Sequence, residues 1–298
     1  MATKIGIIGG SGLYAMDGLQ DVSTVVVDTP FGQPSGPVTC GTLNGATLLF
    51  LPRHGLRHAL SPSEINYRAN IFALKSLGAE WCISVSAVGS LREELPPGTI
   101  VIPDQLIDRT VGRAGTFFGD GLVAHVAFAD PYCPTLRAVL DRVGTSIARE
   151  AGFNLVSGGT YVCMEGPAFS TRAESHLFRY WGASLIGMTA LPEAKLAREA
   201  ELAYATLALV TDYDCWKGDG HDVDVAQVMA TMQTNALHAK AIIAGIAAGL
   251  QQEAPSQLAA FALDAALITP LDAVSPETIE RLRPLLRRRL GCEVSPSS

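Results

Sequence analysis

Short apolar runs, each closed by glycine or a small polar residue, alternate with amphipathic stretches through most of this chain. Lys4 to Ile8, Val25 to Val27, Val38 to Thr42, Thr47 to Leu51, Trp81 to Val85, Thr99 to Ile102, Gly159 to Met164, Ser184 to Ile186 and Tyr204 to Val210 read as strands. Between them, Asn66 to Leu77 places Ala69, Ile71, Phe72, Ala73 and Leu74 at helical spacing, with Gly78 fitting as the cap. Pro134 to Ala151 carries Leu136, Val139, Leu140, Val143 and Ile147 on one side. Pro192 to Tyr204 is rich in helix formers, and Val223 to Leu250 reads as one long Ala-rich helix or a broken pair. Arg109 to Asp120, rich in glycine and polar residues, reads as a loop. Strands alternating with helices specify an α/β fold built on a sheet.

The pattern changes past Gln251. Ser256 to Ile268 is apolar and Ala-rich, and Ser275-Pro276-Glu277 is a good helix start. Arg287, Arg288 and Arg289 gather where cations suit a helix end, Gly291 follows, and the expectation is a solvated terminus. The division expected is a main domain over residues 1–250 and a helical C-terminal extension over 251–298.

Composition narrows the classes. With 298 residues, 48% hydrophobic and 17% charged, the chain can fill a large core. A net charge of −7 argues against a general nucleic-acid binder, though not against a local anion site. The six cysteines form no CxxC or Cys/His cluster with metal spacing, so no metal is expected and free buried thiols are. The start, MATKIGIIGG, lacks the apolar core of a signal peptide, and no run spans a bilayer. The expectation is a cytoplasmic protein that binds neither membrane nor nucleic acid.

Ligands of α/β sheets sit where strand ends converge. Here the runs ending at Ile8, Leu51, Val85, Met164 and Val210 lead into glycine, small hydroxyl or charged residues. Gly9-Gly10-Ser11-Gly12 would let backbone amides approach an anion, or be a tight turn and nothing more. Arg53 and His54, with His58 close behind, suit anion capture or a surface ion pair. Ser86-Ala87-Val88-Gly89-Ser90 is a second candidate cradle. Phe169 could stack on a flat ring or belong to the core. Asp212 and Asp214, two apart after a strand, would face one space if the backbone stays extended. In a dry site, like charge would keep one of them protonated, which suits departure of a nitrogen base; in water they are an acidic turn.

Taken together, IGIIGGSGLY, VDTPFGQPS, LPRHGLRH, NYRANIFALK, GSLREELPPG, QLIDRT, MEGPAFSTRAES, GMTALPEAKLARE and TDYDCWK resemble the 5′-methylthioadenosine phosphorylases of the purine nucleoside phosphorylase group, over roughly Lys4 to Leu250. The resemblance implies a single-domain nucleoside phosphorylase fold with a mixed central sheet, assembled as a homotrimer. It implies phosphorolysis of 5′-methylthioadenosine to adenine and 5-methylthioribose 1-phosphate, with inorganic phosphate as co-substrate and no metal or organic cofactor. It assigns phosphate binding to Ser11, Arg53, His54, Ser86, Ala87 and Thr189. Substrate contacts fall to Phe169, Met188, Asp212, Tyr213 and Asp214, with Asp212 as proton donor. His125 would reach the neighbouring subunit's 5′ pocket, where Met188 and Val228 are further candidates. Ser170 and Val225 match positions that separate the family from 6-oxopurine enzymes. Gly187 stands where animal members often have Asn, and Ala168 where Arg is usual. Three rivals remain at this point: a 6-oxopurine or broad-specificity phosphorylase, a hydrolase using Glu165 as base, and a non-catalytic nucleoside binder.

Overall fold

The computed structural model describes residues 2–10, 12, 13, 15–218 and 225–291, apart from the side chains of 225–228. The strands are β1 (Lys4–Gly9), β2 (Gln20–Val25), β3 (Val38–Leu43), β4 (Ala46–Pro52), β5 (Trp81–Ser90), β6 (Ile100–Ile102), β7 (Gln105–Arg109), β8 (Leu155–Ser157), β9 (Thr160–Met164), β10 (Leu185–Gly187) and β11 (Ala203–Asp212). The helices are α1 (Tyr67–Ser76), α2 (Pro134–Ala151), α3 (Arg172–Tyr180), α4 (Ala190–Glu199), α5 (Val225–Gly249), α6 (Gln257–Ala260), α7 (Pro276–Arg281) and α8 (Arg283–Leu286). The expected α/β fold with a mixed sheet is what the chain forms.

One path through the sheet runs β2-β3-β4-β1-β5-β10-β9-β7, and β11, β6 and β8 continue from the other edge of β5. β4, β1, β5 and β11 are parallel neighbours, whereas β2, β3, β6 and β10 each include antiparallel pairing. β5 is the axis. On one edge it pairs with β11 from Trp81 to Gly89. On the other it pairs with β1 as far as Ser84 and with β10 from Gly89 onward. The sheet therefore splits beside Val85 to Val88. That edge faces a gap instead of a strand; Arg53 Nη1 takes Val85 O, and polar backbone left without a partner in a gap calls for a ligand or water.

The local causes are mostly visible in sequence. Asn66 caps α1 by accepting from Ala69 N, and Gly78 follows the helix at φ 86°. The periodicity expected over Pro134 to Ala151 forms α2 between the same limits, with Leu136, Val139, Leu140 and Ala148 buried. The long segment after residue 224 is a single helix, not a broken pair. β11 is buried along almost its whole length between neighbouring strands and helices, which is why it reads as an uninterrupted apolar run.

Several elements differ from expectation. The first edge strand lies at Gln20–Val25, earlier than Val25 to Val27, and is largely exposed, so it carries little apolar signal. β7 and α3 form where neither was expected. The C-terminal segment is less helical than its composition implies: Ser256 to Ile268 contains only the four residues of α6, followed by turns. Leu263, Ala266, Leu282, Leu285 and Leu286 nevertheless join the same buried cluster as the sheet. The arginine cluster sits exposed at the end of α8, as expected, but two of its members also make ion pairs. Arg288 forks onto the carboxylate of Glu201, which is nearly buried, and Arg288 and Arg289 also bind Asp264. Among the described residues no helix is long and apolar enough to cross a membrane, and the five described cysteines are free.

Candidate active site

The gap beside β5 opens into a cavity of about 300 Å³. Its walls come from strand ends: Gly10 after β1, Arg53 and His54 after β4, Val85 to Gly89 on β5, Met164 at the end of β9, Gly187 to Thr189 after β10, and Thr211, Asp212 and Asp214 after β11. A wider groove of about 550 Å³ runs over residues 33–37 and 55–60, but neither Asp212 nor Asp214 lines it. The chemistry belongs to the smaller cavity.

At one end lies Arg53, completely buried. Its Nε and Nη2 fork onto Glu193 at 2.9 and 3.1 Å, while Nη1 donates to Val85 O and Nη2 also reaches Ile8 O and Ser84 Oγ. Glu193 is wholly enclosed and accepts a further bond from Tyr204. Arg53 is thus a keystone of the strand ends as well as a wall of the cavity. Its charge is already paired, so an anion here has to draw on nearby hydroxyls and backbone amides too. His54 stacks on His58 with centroids 4.3 Å apart, and its Nδ1 bonds Leu60 O. Burial pushes its imidazole down to about 4, so it is neutral near pH 7, with Nδ1 the donor to Leu60 and Nε2 left bare. Ser86, Ala87 and Thr189 complete this end, and the Thr189 hydroxyl makes no cap bond to α4.

At the other end are the carboxylates. Asp212 pairs with Gly89, three residues beyond Ser86 on β5, which puts it about 10 Å along the strand. Gly89 leaves room there: a Cβ would crowd Asp212 Oδ1 and Ile186 Cγ2, each at 3.0 Å. The two acids do share the space, though not by strand pleat. β11 slips register between Val210 and Asp212 and ends there, and Asp214 sits at φ 51°. Its backbone N–H turns back to donate to Asp212 Oδ1 at 2.8 Å, and Thr211 Oγ1 donates to Oδ2. The Asp212 carboxyl is held above its ordinary range. Burial is the main cause, and the charge of Asp214 contributes least of the causes, the reverse of the weight placed on like charge above. Asp214 is buried, and Ser170 Oγ donates to both of its oxygens at 2.8 Å.

Met164, Met188, Met229 and Met232 line the middle, with Ile186 and Val88. Phe169 stands at the mouth, 53% exposed, so it is a rim residue and not a core one. Tyr213 is not brought in. Lying between two inward carboxylates, its side chain turns the other way, packs edge-on against Trp216 and donates to Glu93 O. His125 is exposed and away from this cavity, its backbone bonded to Ala266 O. Ser11, and the side chains of Val225 and Val228, lie outside the described residues. Glu165 does not line the cavity: it accepts from Ser63, Val111 N and Arg113. Burial opposes ionisation of Glu165, but those bonds hold its carboxyl below the usual range, which leaves it a poor base for water. Glu193, Met229 and Met232 were not singled out in the sequence, since a Glu or Met within a helix-forming run carries no local signal.

A model of the phosphorylase superfamily matches residues 4–248, most of the chain and every strand end named above. The chain belongs to the phosphorylase superfamily. Curated relatives of this phosphorylase-superfamily chain include the S-methyl-5′-thioadenosine phosphorylase of Thermosynechococcus vestitus, 54% identical over 97% of this chain and 100% of the relative. That of Geobacter sulfurreducens is 56% identical over 95% of this chain and 97% of the relative. Among solved structures, a methylthioadenosine phosphorylase from an Antarctic soil metagenomic library superposes with a TM-score of 0.91 at 50% identity, covering 96% of this chain and 99% of its own. The methylthioadenosine phosphorylase of Schistosoma mansoni, in complex with adenine, gives 0.78 at 38% identity over 84% and 93%.

Proposed function

We propose that this protein catalyses the phosphorolysis of S-methyl-5′-thioadenosine, releasing adenine and 5-methylthioribose 1-phosphate. The observation that carries the reading is the spacing along β5. Arg53, His54, Ser86, Ala87 and Thr189 stand at one end of a cavity, and a buried, protonation-prone Asp212 at the other, opposite Gly89 three residues farther along the strand. Inorganic phosphate is the co-substrate, with no metal or organic cofactor. A phosphate oxygen attacks C1′, the C1′–N9 bond breaks, and its electron pair leaves with adenine. The Asp212 carboxylic acid gives its proton to N7, where that charge would otherwise build. Asp214, held by Ser170 and by the backbone turn, accepts from the 6-amino group. A 6-oxo group would set an acceptor against that carboxylate, which favours the aminopurine.

The remaining roles follow the same reading. Met188 packs on the ribose, Phe169 covers the base from the rim, and Val228 with Met188 shapes the methylthio pocket. Ser11 adds a hydroxyl to the phosphate set, and Ser170 and Val225 set base preference. His125, exposed on its own subunit, reaches the neighbour's 5′ pocket in a homotrimer of a cytoplasmic enzyme. The extension over 251–298 braces that approach, since Ile268 N and Ala266 O bond the backbone of Val123 and His125.

The test is product formation from S-methyl-5′-thioadenosine, adenosine and 5′-methylthioinosine, with and without phosphate. Turnover is expected to require phosphate and to favour the 6-aminopurine substrates. Asp212→Asn should lower kcat about 10²- to 10³-fold, whereas Cys215→Ser, whose thiol donates to Ser170 O and weakly to Asp214 Oδ2, keeps a donor there and should change it little. Similar losses in the two variants would remove Asp212 as proton donor.

A further inference from the structure

Gly187 leaves a space in the cavity wall that a neighbouring side chain fills. A Cβ built there would lie 2.0 Å from Tyr161 Oη, 2.7 Å from Cζ and 3.0 Å from Cε2. The Tyr161 phenol, on the adjacent strand β9, therefore occupies the place a side chain at 187 would take. It is fully enclosed, just behind the wall formed by Gly187, Met188 and Thr189.

The ring packs in the core, but its hydroxyl is left without a partner. Tyr161 Oη and Ser86 Oγ are both buried, and neither makes a hydrogen bond of acceptable geometry within the chain. Leaving one buried hydroxyl unsatisfied costs about 1–3 kcal/mol, so two beside a cavity call for a ligand. The two groups are neighbours: the Ser86 hydroxyl and the Thr189 backbone both act on the phenol, which burial keeps protonated and therefore a donor. Ser86 and Thr189 also line the cavity.

We propose that Tyr161 is a positioning residue for the attacking anion, its hydroxyl donating to Ser86 Oγ so that Ser86 turns its own proton onto a phosphate oxygen. A serine hydroxyl has one proton and two lone pairs. When a neighbouring donor occupies one lone pair, the proton is directed to the opposite side, toward the cavity. Gly187 is the condition for this arrangement, because any larger residue displaces the ring. The inference rests on the reading of Ser86 as a phosphate ligand.

The experiment is a double-mutant cycle on Michaelis constants with Tyr161→Phe, Ser86→Ala and the pair. Tyr161→Phe should raise KM for phosphate about three- to tenfold while moving KM for the nucleoside less than twofold. The phosphate effect should vanish in the Ser86→Ala background, since the two hydroxyls act in series. Phosphate-induced thermal stabilisation of the enzyme without nucleoside should shrink in parallel, a readout independent of turnover. An unchanged phosphate KM in Tyr161→Phe, beside a raised one in Ser86→Ala, overturns the role of Tyr161 alone. A joint rise of both Michaelis constants with a lowered unfolding midpoint also overturns it, because loose packing then explains the effect. An unchanged phosphate KM in Ser86→Ala removes Ser86 from the anion site, and the inference with it.

Discussion

Two arginine–glutamate forks flank α4 and look alike in chemistry. Arg53 meets Glu193 in the first turn of the helix, and Arg288 meets Glu201 just past its end, where Glu201 takes φ 51°. Each is a bidentate guanidinium–carboxylate pair, and each glutamate has a further partner, Tyr204 Oη for Glu193 and Leu263 N for Glu201. What differs is water. Arg53 and Glu193 are sealed at 2% and 0% exposure, while Arg288 is about a third exposed and shared with Asp264. The first pair sits at the wall of the cavity, and the second fastens the C-terminal segment to the core. In the sealed pair each charge depends on the other, and an incoming anion enters the same balance. In the second pair only the arginine is open to water: Glu201 is 4% exposed, so its carboxylate leans on Leu263 N when Arg288 is lost.

The comparison is broken most directly by Glu193→Gln, which keeps the shape and removes the charge. It leaves Arg53 desolvated and unpaired, and the expected loss is about 3–5 kcal/mol of stability. Phosphate should then raise the unfolding midpoint of the variant more than that of the parent chain, because the anion replaces the missing charge. Equal phosphate shifts in both proteins would show that Arg53 does not feel the cavity's ligand. Arg53→Ala is a poorer probe, since it strands Glu193 and removes a keystone in one step.

Arg288→Ala is the counterpart and should do less. Glu201 keeps Leu263 N, and Lys75 lies nearby with its Nζ on Glu201 O. The expected cost is about 1–3 kcal/mol, with Michaelis constants for phosphate and nucleoside unchanged. A shift in phosphate KM would mean that α4 couples its two ends, so that the open pair also shapes the site.

Sequence reasoning reached the cavity without reaching these pairs, for a physical reason. Strand ends announce themselves locally: a buried run must stop, and Arg53 and Asp212 stand where β4 and β11 stop, while Ser86 marks the end of the apolar run inside β5, which continues to Ser90. Glu193 lies inside a helix-forming stretch, and its meaning comes from an arginine 140 positions away. The exposed helix end at Arg288 is legible because the helix dipole is a local rule; its partner Glu201, 87 positions away, is not. α3 is a different case. Thr171 and Glu174 form a reciprocal capping box, a signal present in the sequence as Thr-x-x-Glu and overlooked because the helix behind it buries only Ser175 and Phe178. Tyr213 shows the limit of pattern transfer: the turn that brings Asp214 back to Asp212 swings the residue between them out against Trp216.

Acid separates the two regions with the smallest expected effect. In the folded chain the His54 imidazole titrates near about 4, lowered chiefly by burial. Unfolded, it takes up its proton near the ordinary value of about 6.5. Between those limits the unfolded chain binds the extra proton, so stability from this group is intact above about 6.5 and falls as pH drops toward 4. Asp264 behaves differently. The hydrogen bond from Arg288 holds its carboxyl below the ordinary 3.8, so its contribution persists through that window and is lost only as pH falls further. His238, lowered by burial, and Glu199, raised by burial to about 7, also titrate in this region with opposite signs. The informative quantity is therefore the difference between variants. Unfolding midpoints measured from pH 7 to pH 4 should fall less steeply in His54→Gln than in the parent, and as steeply in Arg288→Ala. Phosphate should flatten the parent curve as well, because an anion at the cavity favours the charged imidazole. An identical slope in His54→Gln would place the acid sensitivity elsewhere, and the sealed end of the cavity would then differ from the open clasp in burial alone.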